Sequence, residues 1–132
     1  MGRPTTALIV DDESHVRTYF RLLLREAGIE SCQEAADGAI ALALIEKQPP
    51  ELVLLDVNMP GMSGLELLAK IAAIDPELPV VMVTAESLIQ TVKEAMRLGA
   101  SAYILKQAPK SEALASIREL LESMDDGDGE AT

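Results

Sequence analysis

The chain has 132 residues, 48% of them hydrophobic, which is enough for one globular domain with a substantial core. Its 22 acidic and 11 basic residues give a formal net charge of -11, which argues against direct binding of DNA or RNA. No apolar run is long enough to span a membrane and a single cysteine cannot form an internal disulfide, so we expect a cytoplasmic protein without a membrane partner.

Five short apolar segments predict β-strands in chain order. The first is TALIV at residues 6–10, and the second and weakest is ESCQEAA at residues 30–36. The third is LVLLD at residues 52–56, the fourth is PVVMVT at residues 79–84, and the fifth is AYILK at residues 102–106. Short runs rich in β-branched residues, with turn-forming residues between them, are typical of buried strands.

Segments with helical periodicity follow these strands. Apolar residues recur at helical spacing over residues 16–27, and Gly28 then predicts the end of the first helix. Residues 63–66 and 87–90 both have the spacing of a capping box, in which the first and fourth side chains satisfy free backbone donors at the start of a helix. Gly99 predicts the end of the fourth helix.

Five strands, each followed by a helix, predict a doubly wound α/β fold. Parallel strands need crossover connections, and right-handed crossovers place helices on both faces of the sheet. Pro109 fits the first turn of the last helix, which we expect to end the domain at Met124. We therefore expect one domain over residues 1–124. Residues 125–132 are acidic and poor in apolar side chains, and we expect them to form a disordered tail.

Polar residues stand at the ends of four predicted strands. These residues are Asp11 and Asp12, Asp56, Thr84 and Lys106. Doubly wound sheets bind ligands beyond the carboxyl ends of their strands, so we expect these side chains to lie close together. Converging carboxylates repel one another unless a cation relieves them, and a few oxygen ligands favour Mg²⁺, with Mn²⁺ as the alternative. A carboxylate beside a metal ion and a lysine suits phosphoryl transfer onto Asp56.

The chain resembles the receiver (CheY-like) domain of bacterial two-component response regulators in four segments: ALIVDDE, LVLLDVNMPGMSG, VVMVTAE and AYILK. The resemblance covers roughly residues 6–124. It implies a flavodoxin-like fold, in which a five-stranded parallel sheet of order 2-1-3-4-5 carries five helices. It also implies a signalling switch that catalyses only its own phosphotransfer and autodephosphorylation, and is otherwise not an enzyme.

The resemblance assigns roles to the residues at the strand ends. It implies that Asp56 accepts a phosphoryl group from the phosphohistidine of a sensor histidine kinase or a phosphotransfer protein. Asp12 would bind Mg²⁺ directly, Asp11 would bind it largely through water, and Asn58 would contribute its backbone carbonyl. Lys106 would neutralise the charge of the phosphoryl group.

The same resemblance implies how the signal is transmitted and ended. Thr84 would move to hydrogen-bond the phosphoryl group, and Tyr103 would swing into the space that it leaves. The surface formed by the fourth helix, the fifth strand and the fifth helix would then change its affinity for a downstream protein or output domain. Asn58 and Glu86 occupy positions that flank the path of attacking water, and this pair resembles that of the fast-recycling chemotaxis regulator. We therefore expect rapid dephosphorylation.

The segment after Lys106 departs from the family pattern. Receiver domains usually follow this lysine with a proline joined by a cis peptide bond, whereas this chain has Gln107. The bond is then either trans, with a reshaped loop, or cis at a cost of about 3 to 4 kcal/mol. His15 follows Asp12 closely, but we expect it in the exposed first turn of a helix, since Mg²⁺ has little preference for imidazole.

Other classes of protein fit the sequence less well. A phosphatase of the haloacid-dehalogenase type also forms an aspartyl phosphate, but it needs a second aspartate where this chain has Asn58, which cannot act as an acid or a base. A flavodoxin-type module would need a phosphate-binding loop after the first strand, where VDDESH is acidic. A receiver-like scaffold without chemistry is disfavoured because every chemical position is filled. A stand-alone regulator and a receiver module from a longer regulator with a DNA-binding or enzymatic output both remain open.

Overall fold

The computed structural model describes residues 2–85 and 89–130, with only the backbone described for residues 126–130. The strands are β1 (Thr6–Val10), β2 (Ser31–Ala35), β3 (Val53–Asp56), β4 (Val80–Thr84) and β5 (Ala102–Leu105). The helices are α1 (Ser14–Glu26), α2 (Gly38–Lys47), α3 (Gly64–Ile74), α4 (Ile89–Arg97) and α5 (Lys110–Glu130). The strands are parallel and lie in the order β2-β1-β3-β4-β5, which confirms the predicted doubly wound topology.

The hydrophobic core has two halves, one on each face of the sheet. In β1, Leu8 and Val10 point to the half that α2, α3 and α4 cover, whereas Ala7 and Ile9 point to the half that α1 and α5 cover. All four side chains are buried because β1 lies inside the sheet and helices cover both of its faces. This double coverage explains why the strand sequence is continuously apolar instead of alternating. It also leaves the two ends of the strands as the places where polar groups can emerge.

Local signals at the helix ends agree with the structure where it describes them. Gly28 and Gly99 follow α1 and α4 with φ angles of 104° and 106°, a conformation that glycine adopts without strain. The Ser63 side chain accepts a hydrogen bond from the Glu66 backbone N–H at 3.2 Å, as the capping prediction requires at the start of α3. The capping prediction for Ser87 lies outside the described residues.

The last helix extends beyond the predicted end of the domain at Met124. The backbone of α5 continues as far as Glu130, since each residue added to an existing helix gains a hydrogen bond. Arg3 Nε donates to Asp125 Oδ2 at 2.9 Å and so connects the N-terminal segment to this part of the helix. The division of the chain into residues 1–124 and 125–132 stays a prediction. Neither α5 nor any other described helix is long and apolar enough to cross a membrane.

Candidate functional site

The register of the sheet brings the polar strand ends to one edge. Asp56 lies opposite Val83, so Thr84 comes one residue beyond it on the neighbouring strand. Thr84 in turn lies opposite Leu105, and Lys106 follows one residue later. Because parallel strands rise together, each of these side chains emerges at the carboxyl edge of the sheet. The structure therefore brings together site residues that were predicted from separate segments of the sequence.

Three carboxylates form the centre of this edge. Asp11, Asp12 and Asp56 each place a carboxylate oxygen within 4.8 Å of the others. The residues Asp11 and Asp56 are buried, with 2% and 1% of their surface exposed, whereas Asp12 is exposed to solvent. Two buried carboxylates this close repel each other strongly in a medium of low polarity.

Lys106 relieves part of this repulsion. Its Nζ lies 2.9 Å from Asp11 Oδ2 and 3.2 Å from Asp56 Oδ2. Burial disfavours the ammonium ion, but the two carboxylates outweigh burial and raise the pKa of Lys106. The Lys106 backbone N–H also donates to the Thr84 carbonyl at 2.8 Å, which fixes the base of the side chain. The lysine is therefore a charged bridge between the two buried acids.

The ionised form of Asp56 remains disfavoured despite this bridge. Burial and the charge of Asp11 raise the pKa of Asp56 to about 6, and pairing with Lys106 offsets only part of that increase. The Asn58 backbone N–H donates to Asp56 Oδ1 at 3.2 Å, which also favours the ionised form and fixes the carboxylate plane. The other oxygen, Oδ2, is the one that lies 3.2 Å from Lys106 Nζ.

Asp56 should make the metal-free protein less stable as the pH rises. Its folded pKa of about 6 exceeds that of an unfolded aspartate, so its contribution to stability is full below about pH 4 and is lost as the pH rises through 6. The Asp56→Asn variant lacks this titration. We expect urea unfolding in EDTA to give similar stabilities for variant and wild type at pH 4, and to favour the variant by about 3 kcal/mol at pH 8. A difference that does not change with pH would contradict this electrostatic account.

The donor set fits a hard divalent cation. The Oδ2 atoms of Asp11 and Asp56 are buried and ion-paired with Lys106, yet within the described part of the chain neither accepts a hydrogen bond of good geometry. With the Asp12 carboxylate beside them, they form an all-oxygen set of the kind that Mg²⁺ prefers. His15 is not part of this set: its side chain is 81% exposed, and its Nε2 lies 3.8 Å from Glu13 Oε2.

A glycine at the start of α3 makes room for the acceptor loop. The Gly64 N–H donates to the Val57 carbonyl at 2.8 Å, which holds the helix against the backbone after β3. A Cβ atom on Gly64 would collide with the Asp56 carbonyl oxygen and would lie 2.7 Å from Val57 Cα. The only sign of this requirement in the sequence is a glycine in the first turn of a helix, where most other residues favour the helix more.

The loop after Lys106 is held without a cis peptide bond. The Lys106–Gln107 bond is trans, as are the other peptide bonds in the described ranges, so the first of the two predicted alternatives applies. The Gln107 side chain donates from Nε2 to the Ala85 carbonyl at 3.0 Å, and the Ala108 N–H donates to the Leu105 carbonyl at 3.1 Å. Gln107 thus connects the loop after β5 to the loop after β4.

The residues proposed for signal transmission occupy different environments. Thr84 is buried at the edge of the sheet, with 2% of its surface exposed. Tyr103 on β5 is 42% exposed, and together with Glu112 and Ser116 it lines a cavity of about 310 Å³. Asn58 is exposed on the loop after β3, and Glu86 lies outside the described residues. In this structure the tyrosine is therefore in an outward position.

Comparisons with known proteins agree on one family. The model of the response regulator receiver domain matches residues 7–118. Chemotaxis protein CheY-3 of Vibrio cholerae is 45% identical over 102 residues, which cover 75% of this chain and 78% of that protein. The phosphate regulon transcriptional regulatory protein PhoB of Pseudomonas aeruginosa is 35% identical over 128 residues, 96% of this chain and 56% of that protein. A CheY-like receiver domain protein from Methanospirillum hungatei superposes with a TM-score of 0.83 at 30% identity, covering 93% of this chain and 98% of the other.

The fold and the edge site define a doubly wound α/β protein with a buried acidic centre paired to a lysine. The chain belongs to the response regulator receiver domain family, which confirms the resemblance seen in its sequence. Receiver domains are signalling switches of two-component systems and generally not enzymes in the usual sense. They interact with histidine kinases and with output partners. The acidic triad of this chain can bind a metal ion.

Proposed function

We propose that this chain is a phosphorylation-activated switch in which Asp56 accepts a phosphoryl group from the phosphohistidine of a histidine kinase or phosphotransfer protein. The observation that supports this most is the position of Asp56, which is buried at the end of β3 and lies 3.2 Å from the Lys106 ammonium. A rigid strand holds the carboxylate in place, and a cation stands where negative charge would accumulate. Both features favour phosphoryl transfer, which depends mainly on positioning and charge neutralisation.

The chemistry requires little of the protein beyond these groups. A carboxylate oxygen of Asp56 attacks the phosphorus, the P–N bond of the phosphohistidine breaks, and the imidazole leaves with the bonding electrons and takes up a proton. Lys106 neutralises the charge on the transferred phosphoryl oxygens. Mg²⁺, held by Asp11, Asp12, Asp56 and the Asn58 carbonyl, would supply further charge neutralisation at the same place.

Phosphorylation would act on partners through Thr84 and Tyr103. The phosphoryl group adds about -1.5 to -2 charges and three acceptor oxygens, which attract the Thr84 hydroxyl. Movement of that side chain makes room for Tyr103, whose outward position is the resting one in this proposal. The face formed by α4, β5 and α5 would then bind a downstream protein or an output domain with changed affinity. Stand-alone and multidomain action are both compatible, since relatives of both lengths match.

Phosphorylation by a small donor tests this function. Incubation with acetyl phosphate and Mg²⁺ should add one phosphoryl group to the wild-type chain, because the site itself supplies the catalytic groups. Intact mass spectrometry measures the adduct. We expect none in Asp56→Asn or in the presence of excess EDTA, and the same adduct in a control variant such as Lys110→Met. An adduct that persists in Asp56→Asn would exclude Asp56 as the acceptor.

The phosphorylated form should be short-lived. We propose that Asn58 and Glu86 leave a path for water to reach the phosphoryl group, which supports rapid dephosphorylation. After removal of the donor, the adduct should decay within minutes, and replacing Asn58 with a larger apolar residue, as in Asn58→Met, should lengthen its lifetime because water is obstructed. Decay is followed by intact mass at timed intervals. A wild-type adduct that is stable for hours would disprove this part of the proposal.

A further inference from the structure

Arg17 on α1 joins the acidic site to the edge strand β2. Its Nη1 donates to the backbone carbonyl of Asp11 at 2.7 Å, and its Nε donates to Glu34 Oε1 at 2.9 Å. The side chain is only 17% exposed, so both hydrogen bonds are shielded from water. A planar guanidinium with two fixed donors suits this kind of two-point contact better than a flexible ammonium does.

The anchor of Arg17 is itself held in place. Arg21, one turn further along α1, donates from Nε to Glu34 Oε2 at 2.8 Å, and its Nη2 lies 2.6 Å from the same oxygen. Burial opposes ionisation of Glu34, but hydrogen bonds from the two arginines outweigh it and hold the pKa of this carboxyl below its usual value. Glu34 is therefore a charged and fixed partner that two arginines share.

Hydrogen bonds hold both backbone polar groups of Asp11, and Arg17 makes one of them. The Asp11 N–H donates to the Ala35 carbonyl of β2 at 3.1 Å, while its own carbonyl accepts from Arg17. The Asp11 side chain is fixed separately, because Oδ1 accepts from the Glu13 N–H at 2.9 Å. The carbonyl of Asp11 belongs to the peptide unit that leads into Asp12. Holding that carbonyl therefore fixes the direction in which the chain enters the acidic turn.

We propose that Arg17 is a positioning residue for the cation site, which aims the Asp11 and Asp12 carboxylates by holding the peptide unit between them. This inference rests on the proposed function, because it assumes that the acidic cluster binds Mg²⁺. The sign of the change in Mg²⁺ affinity on removing Arg17 distinguishes a positioning role from a purely electrostatic one. A positive charge near the cluster weakens cation binding, so removal of Arg17 strengthens Mg²⁺ binding if charge alone matters. Removal weakens Mg²⁺ binding if position matters more.

Mg²⁺ titration of unphosphorylated variants distinguishes these outcomes. Arg17→Met is compared with Arg21→Met, which also loses a cation bound to Glu34 but has no contact with the Asp11 carbonyl. We expect the Mg²⁺ affinity to fall about 10-fold in Arg17→Met, the usual scale for residues that orient metal ligands. We expect it to change by less than about 2-fold in Arg21→Met. The affinity is measured from the rise in Tm with Mg²⁺ concentration, and the Tm in EDTA reports separately on folding.

A charge-preserving variant keeps the test valid if Arg17→Met does not fold. Arg17→Lys retains the positive charge but cannot hold both partners in the same plane, so its Mg²⁺ affinity should fall about 3-fold or more. Unchanged affinity in Arg17→Lys, or stronger binding in Arg17→Met, would overturn the positioning role. An equal loss in Arg21→Met would overturn it as well. If the wild type itself binds no Mg²⁺, the metal site of the proposed function fails, and the positioning role with it.

Discussion

Replacing Gly64 with alanine should destabilise the protein by about 3 kcal/mol, near the upper end of the usual cost of overpacking. The added Cβ would collide with the Asp56 carbonyl oxygen and would lie 2.7 Å from Val57 Cα. Both are backbone atoms, so they cannot move aside by a change of rotamer. Helix propensity alone would give the opposite result, since alanine favours a helix over glycine by about 1 kcal/mol. Urea unfolding of both proteins measures the difference.

Gly38 provides a matched control for this substitution. It is the first residue of α2, as Gly64 is of α3, and a Cβ atom there would lie 2.8 Å from Met62 Sδ. That sulfur belongs to a flexible side chain that can turn away. We therefore expect Gly38→Ala to change the free energy of unfolding by less than about 1 kcal/mol. If both variants behave alike, the close approach of α3 to the acceptor backbone is not the cause.

Replacing Lys106 with methionine should slow phosphorylation of Asp56 by about 100-fold, the cost of losing one fixed donor to developing negative charge. The substitution removes the only described side-chain cation within 3.2 Å of the Asp56 carboxylate. It also removes the charge that opposes repulsion from Asp11, so the pKa of Asp56 should rise further above about 6. The rate of adduct formation with acetyl phosphate at saturating Mg²⁺ measures the effect.

Mg²⁺ binding separates this effect from simple loss of the site. Because Lys106 occupies the oxygens that a cation would bind, its removal should strengthen Mg²⁺ binding while it weakens phosphorylation. Lys110→Met is the matched control: this lysine is exposed and pairs with Glu26 at 2.8 Å on the surface. It should leave both properties unchanged, since exposed ion pairs contribute about 1 kcal/mol or less. Parallel loss of Mg²⁺ binding and phosphorylation in Lys106→Met would contradict the proposed role.

The strand ends could be predicted because their signals are local. Each apolar run stops at a polar residue, and the topology of parallel strands with crossovers then brings Asp56, Thr84 and Lys106 to one edge. The structure agrees: the register places these ends one residue apart on neighbouring strands. These positions follow from residue type and strand order alone, without any knowledge of long-range contacts.

Other features depend on contacts that a sequence pattern does not show. The contact of Gly64 with the Asp56 backbone depends on how closely the start of α3 approaches the end of β3. The hydrogen bond from Arg17 to Asp11 crosses from a helix to a strand end, and on sequence alone Arg17 is one of several charged residues on α1. Gln107 was visible as a departure from the family pattern, but its bond to Ala85 was not, because it joins two loops that are distant in sequence.

Locating the phosphoryl group is the most direct measurement of the central claim. After phosphorylation with acetyl phosphate and Mg²⁺, borohydride reduces an aspartyl phosphate to homoserine, which peptide mass spectrometry assigns to one position. We expect homoserine at position 56 alone, in a Mg²⁺-dependent amount. Asp11 and Asp12 each place a carboxylate oxygen within 4.8 Å of one from Asp56, so these two neighbouring carboxylates serve as internal controls. Homoserine at position 11 or 12, or a phosphoryl group elsewhere in the chain, would contradict the account.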